Sequence, residues 1–204
     1  MQHVHVDSEL TPIRLPREQL LFPLALRQPR GFKPDRPKTW PHLEGRLEFV
    51  AGELLFMPPC ADFQQDVSAE TVRLLGNWSV LHPEYVVAGN EAGMLLGGEV
   101  RGADVAVWKR SRLGAYKGTF RKVPPVLAVE IAGEDEEEQA LREKARWYLK
   151  NGVELIWLVF PRTRVVLSIT SSSARRIVGP RLLPAASLPK LKLSAQELFR
   201  QLDP

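Results

Sequence analysis

Two short apolar segments of the chain each carry a single carboxylate. Residues 103–108 and 126–131 have the composition of buried β-strands, yet they include Asp104 and Glu130. An ionised carboxylate inside an apolar strand costs free energy unless a cation pairs with it. The two segments therefore favour a fold in which strands bring both acids to a source of positive charge.

The side chains beside each acid are small. Alternate residues of a strand face the same side of a sheet, so Asp104 shares a face with Ala106, and Glu130 shares a face with Ala128. Small neighbours leave space next to the carboxylates. If the two strands are adjacent in one sheet, both acids can bind one cation, and oxygen ligands favour Mg²⁺ or Mn²⁺ over zinc.

Residues 134–151 form the clearest helical pattern in the chain. Acidic residues crowd the first turns and basic residues the last turn, as the helix dipole favours. Lys144 follows Leu141 by three residues and precedes Tyr148 by four, so it belongs to the apolar stripe of the helix. We expect a nearby carboxylate, such as Glu130, to pair with this lysine.

Each charge also has an ordinary structural explanation. Glu130 would be a surface residue at a strand end, Asp104 would cap a turn, and Lys144 would extend its amine from the edge of the stripe to water. Glu48 is a fourth candidate, although alternation in its own strand also predicts a solvent-facing position. The coincidence of three charges in apolar segments favours one shared site.

The composition excludes several classes of protein. A chain of 204 residues with 44% apolar residues fits one domain with terminal segments. The single cysteine, Cys60, excludes a disulfide framework and a cysteine-rich zinc site. No apolar run approaches the roughly 20 residues of a membrane span, and the N-terminus lacks a signal-peptide pattern. We therefore expect a cytoplasmic protein without a membrane partner.

Positive charge is concentrated in three segments. The net charge of +4 permits an anionic partner. Residues 27–38 and 175–192 are both basic, and residues 109–122 contain no acid at all. The bases of this third segment are Lys109, Arg110, Arg112, Lys117, Arg121 and Lys122. One such segment is typical of a solvated surface, whereas three together favour a phosphate-rich partner.

The pattern of elements predicts one α/β or α+β domain with a mixed sheet. Residues 1–42 hold seven prolines and read as an arm packed on the core. Residues 43–170 form the core domain, and residues 171–204 extend it as loops and a short capped helix. Residues 47–57 predict a β-hairpin, and residues 63–82 predict a helix.

In their order, these segments resemble the PD-(D/E)-x-K nuclease superfamily and, over residues 46–161, the Uma-two-type family of restriction-endonuclease-like proteins. That family places its lysine on the helix after the second acid, and here Lys144 occupies this position while Ala132 occupies the alternative one. Gln64 or Gln65 stands where the family has a histidine. The matching segments are residues 47–54, 57–59, 103–106, 128–131, 144–148 and 152–159, with Pro161.

The resemblance implies a restriction endonuclease-like fold, in which a mixed β-sheet is flanked by helices. It also implies that the protein hydrolyses phosphodiester bonds of DNA. It implies Mg²⁺ or Mn²⁺ held by Asp104 and Glu130, with Lys144 assisting a metal-bound water. The basic segment 109–122 would contact the nucleic-acid backbone. The family is also associated with homodimers.

Two other classes of function fit the same residues. A non-catalytic nucleic-acid-binding or regulatory module could retain the nuclease fold, since fold alone does not define function. A small-molecule metal hydrolase could use the same carboxylates. Metal-dependent cleavage of DNA distinguishes the nuclease from the first class, and a narrow pocket without basic residues would favour the second.

Overall fold

The computed structural model describes residues 22–43, 45–57, 59–134 and 136–203. Residues 1–21, half of the predicted N-terminal arm, lie outside the described residues. The described strands are β1 (Leu24–Leu26), β2 (Arg46–Val50), β3 (Glu53–Met57), β4 (Tyr85–Ala88), β5 (Ala92–Leu96), β6 (Glu99–Ala103), β7 (Val105–Lys109), β8 (Leu127–Ile131), β9 (Leu155–Phe160), β10 (Val165–Ile169) and β11 (Ala174–Val178). The helices are α1 (Asp62–Val80), α2 (Glu138–Lys150) and α3 (Ala195–Leu198).

The strands form two sheets. The smaller sheet is antiparallel and has the order β1-β3-β2-β6-β5. The larger sheet has the order β11-β10-β9-β8-β7-β4, and it is mixed because β8 and β9 run parallel while its other neighbours are antiparallel. The predicted mixed sheet with flanking helices is confirmed, and the structure adds a second sheet that contains the predicted hairpin.

The hairpin of β2 and β3 turns where the sequence predicts it. Ala51 and Gly52 occupy the two central turn positions with φ values of 50° and 86°. Positive φ at both positions matches the twist of a two-residue hairpin, and glycine adopts it without a steric penalty. This turn sets the register in which Glu48 lies opposite Leu55.

Helices α1 and α2 pack against different sets of strand residues. Val67 of α1 belongs to one hydrophobic cluster with Val105 and Val129 of the mixed sheet. The second cluster contains the apolar stripe of α2 and the small residues Ala106 and Ala128. The alternation predicted for β7 and β8 is therefore confirmed, and α2 lies over the alanine side, where the carboxylates are expected.

Two local predictions change in the structure, and a third is confirmed. Helix α2 begins at Glu138 rather than at residue 134, since its N-cap, Glu137, is extended with ψ of 142°. Strand β11 lies within the segment predicted as loops. The sequence does not indicate it, because a largely exposed edge strand lacks a clear apolar alternation. The predicted cap at the C-terminus is confirmed, since Ser194 and Glu197 form a reciprocal capping box.

None of the helices among the described residues is long and apolar enough to cross a membrane.

Candidate functional site

Asp104 lies at the crossover between the two sheets. Strand β6 of the smaller sheet ends at Ala103, and β7 of the mixed sheet begins at Val105. Val105 pairs with Val129, so one further step in this antiparallel register places Asp104 opposite Glu130. The amide of Ile131 donates a hydrogen bond of 2.7 Å to Asp104 Oδ2. The two predicted acids are therefore neighbours on adjacent strands, and both are buried.

Lys144 reaches this pair from helix α2. Its Nζ lies 3.0 Å from Glu130 Oε2, 3.1 Å from Glu48 Oε1 and 2.9 Å from the carbonyl oxygen of Gly102. An ammonium group has three donors, and these three oxygens accept them. Glu48, the fourth predicted candidate, is thus a buried partner of the lysine rather than a solvent-facing residue.

Tyr148 completes the contacts of Glu130. It lies one helical turn after Lys144, is fully buried, and donates its hydroxyl hydrogen to Glu130 Oε1. Lys144 and Tyr148 therefore hold one carboxylate oxygen each, which fixes the orientation of Glu130. The apolar stripe places Tyr148 on the inward face, but its hydrogen bond depends on the position of β8 beneath the helix.

Gly102 is a backbone contact point that sequence reasoning missed. Its amide donates to Glu48 Oε1 at 3.0 Å, and its carbonyl accepts from Lys144. A side chain here would place Cβ 3.0 Å from Glu91 Oε2, so Gly102 permits the close approach of Glu91. The position has no chemical group that could have marked it in the sequence.

Arg46 and Glu91 form a second ion pair at the edge of the site, which sequence reasoning also missed. Arg46 Nη1 lies 3.1 Å from Glu91 Oε1 and 3.6 Å from Asp104 Oδ1. Glu91 adopts a left-handed conformation with φ of 56°, which turns its side chain back from the start of β5. The pairing joins the ends of β2 and β5, which lie 45 residues apart in the chain.

The site contains more acids than bases. Four carboxylates, those of Glu48, Glu91, Asp104 and Glu130, face the two cations of Arg46 and Lys144, so full ionisation leaves an excess of two negative charges (four minus two).

Burial raises the pKa of three of these carboxyls. It raises the pKa of Glu130 to about 8, and Lys144 offsets only part of the effect. Burial also raises the pKa of Asp104 and of Glu91. For Lys144, burial lowers the pKa, but Glu130 and Glu48 outweigh it and leave the pKa well above its ordinary value. The lysine is therefore held in its charged form.

These residues fit a divalent cation. An ion of charge +2 would balance the excess negative charge, and a carboxylate oxygen that accepts one hydrogen bond retains a further lone pair. Within the described ranges, no group of three His, Cys, Asp or Glu side chains is arranged to hold a metal ion. Asp104 and Glu130 would supply two ligands, which suits Mg²⁺ because this ion commonly keeps several waters or substrate oxygens.

The raised pKa of Glu130 predicts how metal-free stability depends on pH. Unfolding lowers the pKa of Glu130 from about 8 to its ordinary 4.5, so the folded state binds more protons between these values. The contribution of Glu130 to the free energy of unfolding should fall as pH rises from about 4.5 to 8, by at most about 1.4 kcal/mol for each pH unit. Urea unfolding in EDTA at pH 5, 6, 7 and 8 measures this slope.

Glu130→Gln removes that titration and should make the slope less steep, while Asp104 and Glu91, whose pKa values burial also raises, keep the remainder. The matched control is Glu134→Gln, which changes an exposed glutamate close in sequence and should retain the slope of the wild type. Equal slopes in all three proteins would show that Glu130 titrates normally in the folded state.

The structure distinguishes the two glutamines of α1, Gln64 and Gln65, by their burial and their hydrogen bonds. Gln64 is buried and donates a hydrogen bond of 2.7 Å to the carbonyl of Ile131, next to Glu130. Gln65 is exposed and donates to the carbonyl of Cys60 instead. Of the two residues, Gln64 is therefore the one that approaches the carboxylate site.

The six bases predicted to contact nucleic acid fall into two groups. Three have partners within the chain: Arg110 donates to the carbonyl of Pro83 at 2.7 Å, Arg112 lies 3.0 Å from Glu154, and the Arg121 guanidinium lies 4.1 Å from the ring centre of Trp108. The other three are lysines, of which Lys117 and Lys122 are exposed and Lys109 is half-buried. The structure does not bring these bases into the carboxylate site.

The fold and the paired acids define a class: an α+β protein with a restriction endonuclease-like arrangement. A solved structure with the same fold is that of a putative nuclease belonging to DUF820 from Anabaena variabilis ATCC 29413. The two chains share 20% identity with a TM-score of 0.72, over 80% of this chain and 94% of the other. At this identity the likeness shows a common fold.

A family model identifies the protein more closely. The model of the Uma2 family, described as putative restriction endonuclease, matches residues 36–196. The match spans well over half of the chain, and the protein belongs to this family. The resemblance predicted from the sequence motifs is therefore confirmed. No match is found among curated proteins.

Proposed function

We propose that this protein is a metal-dependent nuclease that hydrolyses phosphodiester bonds of DNA. The observation that carries the proposal is the placement of Asp104, just before β7, opposite Glu130 of β8, with Lys144 of α2 bound to Glu130 at 3.0 Å. Membership of a family of restriction-endonuclease-like proteins supports the nuclease class. The excess of buried carboxylates supports the requirement for a divalent cation.

Asp104 and Glu130 are the residues that would hold Mg²⁺ or Mn²⁺. When bound, such an ion supplies a water of lowered pKa and stabilises negative charge on a phosphate oxygen. Glu130 is prepared for this role because Tyr148 and Lys144 fix both of its oxygens. Asp104 is held by the amide of Ile131 in a backbone contact that remains when the charge of the site changes.

Lys144 acts as a positive charge and not as a base. Its two carboxylate partners keep its pKa well above the ordinary value, so it holds its proton at neutral pH. To contact a phosphate, it can exchange its bond to Glu48, since Glu48 Oε1 still accepts from the amide of Gly102. The ammonium would then stabilise charge that develops on the phosphate during the reaction.

The exposed lysines of the basic segment are the proposed contacts to the DNA backbone. Lys117 and Lys122 face solvent, and Lys109 is partly accessible. The three arginines of the segment hold the loop in place through their internal partners. Two or three phosphate contacts of this kind give affinity that falls with salt, without preference for a base sequence.

Cleavage of supercoiled plasmid DNA tests the proposal. We expect nicked and linear products with Mg²⁺ or Mn²⁺ and none with EDTA, and a lower rate as salt rises. Glu130→Gln, purified in parallel, should lack the activity. Cleavage by this variant at the wild-type rate would indicate a contaminating nuclease and contradict the proposal.

The same assay separates DNA from RNA and turnover from binding. An RNA of matching sequence, cleaved equally well, would correct the substrate while retaining the reaction. Salt-dependent binding of DNA without cleavage under any divalent cation would support the non-catalytic module that keeps the nuclease fold.

A further inference from the structure

A pocket of about 260 Å³ lies beside the carboxylate site, on the smaller sheet. Its lining includes Trp40, Arg46, Glu91, Gly93, Gly102 and Phe120. None of the roles proposed above uses this space. The lining combines aromatic rings, two glycines and one ion pair, which come from different segments of the chain.

Two aromatic rings form one wall of the pocket. The centroids of Trp40 and Phe120 are 5.2 Å apart, and the rings are tilted by 58°. Trp40 is held in place, since its indole N–H donates to the carbonyl of Pro34 at 3.2 Å and its ring packs on Phe32 at 5.5 Å. A fixed aromatic wall suits a flat, aromatic ligand, because stacking then requires no reordering of the side chain.

Two glycines form the floor of the pocket. Gly93 of β5 and Gly102 of β6 lie directly opposite each other in the antiparallel pair. A Cβ at Gly93 would lie 2.9 Å from Phe120 Cδ1, and one at Gly102 would lie 3.0 Å from Glu91 Oε2. The space above Gly93 is thus filled by the Phe120 ring and that above Gly102 by the Glu91 carboxylate, so the glycines let these two side chains of the lining lie close to the sheet.

An ion pair forms the polar end. Arg46 and Glu91 lie 3.1 Å apart and offer donors and acceptors side by side. The Nε of Arg46 is buried and has no hydrogen-bond partner among the residues that the structure describes. The edge of a nucleobase carries carbonyl oxygens, ring nitrogens and amino groups, which are the groups that arginine and glutamate bind.

The pocket and the carboxylate site share residues. Gly102 lines the pocket, and its carbonyl accepts from Lys144. Arg46 also lines the pocket, and its guanidinium lies 3.6 Å from Asp104. A nucleotide whose phosphate lies at the carboxylates would thus have its base within reach of the aromatic wall.

From these contacts we infer that the pocket receives one unstacked nucleobase of the strand whose phosphodiester lies at Asp104 and Glu130. The inference rests on the proposed nuclease function. The volume is below the roughly 300–1,000 Å³ of pockets for drug-sized ligands, so it suits a single base rather than a base pair. The preferred substrate is therefore DNA with an unpaired base, because extrusion from a paired stack costs free energy.

Two DNA substrates test this inference. One duplex carries a single unpaired 2-aminopurine, and the other is fully paired with 2-aminopurine at the same position. Binding is measured by fluorescence in Ca²⁺, with a gel to show that the strands are intact, and cleavage is measured in Mg²⁺. The wild type should bind and cleave the unpaired substrate better.

Variants of the aromatic wall should remove that preference. Trp40→Leu and Phe120→Leu should each weaken binding of the unpaired substrate by about 5- to 150-fold, as expected for the loss of one stacked base. Trp40→Phe retains a stacking ring and should stay near the wild type. Phe22→Leu, which changes an aromatic residue outside the pocket lining, is the matched control.

The outcomes separate this inference from the proposed function. If the wild type cleaves DNA and all wall variants keep its preference for the unpaired substrate, the base-binding role of the pocket is wrong and the nuclease function stands. An equal loss on both substrates would also overturn the base-binding role. A wild type that neither binds nor cleaves either DNA would overturn the nuclease and the pocket together. Thermal melting identifies a variant that fails to fold. If Trp40→Leu fails to fold, the comparison of Phe120→Leu with Trp40→Phe tests the pocket instead.

Discussion

Replacement of Lys144 by methionine should lower the rate of DNA cleavage by about 100- to 1,000-fold while the fold persists. Methionine retains an unbranched apolar side chain in the stripe of α2 but removes the charge that contacts Glu130 and Glu48. Loss of one group that stabilises developing charge typically lowers a rate by about 100- to 1,000-fold. Initial rates of plasmid cleavage in Mg²⁺ measure this effect.

The same variant should also lose stability. Removal of one partner from a buried ion pair costs about 3–5 kcal/mol when the remaining charge has no other compensation. Here the cost is smaller at low pH, because burial raises the pKa of Glu130 and the carboxyl can take up a proton. Urea unfolding of Lys144→Met should therefore show a loss of stability that increases as pH rises through about 8, where Glu130 of the wild type ionises beside Lys144.

Lys150→Met is the matched control for this experiment. It makes the same substitution at the exposed end of the same helix, and it should leave both the cleavage rate and the stability near the wild-type values. A Lys144→Met protein that cleaves DNA as fast as Lys150→Met would contradict the role of Lys144.

Asp104→Asn should have opposite effects on activity and on metal-free stability. The asparagine oxygen can still accept from the amide of Ile131, but the neutral side chain is a poor ligand for Mg²⁺. We expect cleavage to fall by at least about 100-fold. Stability in EDTA should stay the same or rise, because burial disfavours the charged form and raises the pKa of Asp104.

Calorimetry with Mn²⁺ tests the metal-binding part of this prediction. Asp104→Asn should lose binding that the wild type shows, whereas Asp66→Asn, an exposed aspartate of α1, should retain it. If Asp104→Asn binds Mn²⁺ with wild-type affinity, Asp104 is not a ligand. A variant that loses binding because it has unfolded is recognised from its thermal melt.

The elements near the site follow well from local patterns. Apolar alternation identified β7 and β8, and the charge gradient with the apolar stripe identified α2. The start of α2 was wrong by four residues, because acids that favour the first turn of a helix are also found just before it. β11 was missed because it is an edge strand with mostly exposed residues.

The candidate residues could be predicted because they are charged residues in apolar segments, whereas their partners could not. Asp104, Glu130 and Lys144 stood out as charges in apolar segments, whereas Arg46 and Glu91 lie in segments where charges are ordinary. The second ion pair forms only because the start of β2 and the start of β5 lie at the same end of the smaller sheet, with β6 between them. A contact of this kind has no local signal.

The chain alone determines which face of β7, β8 and α2 carries each charge, because strand and helix periods depend only on local geometry. The register of the two sheets decides the rest. The crossover at Asp104 joins the sheets, which brings Glu48 to Lys144 and places Gly102 between the carboxylates and the aromatic pocket. These contacts join distant segments, so they depend on packing that no single segment specifies.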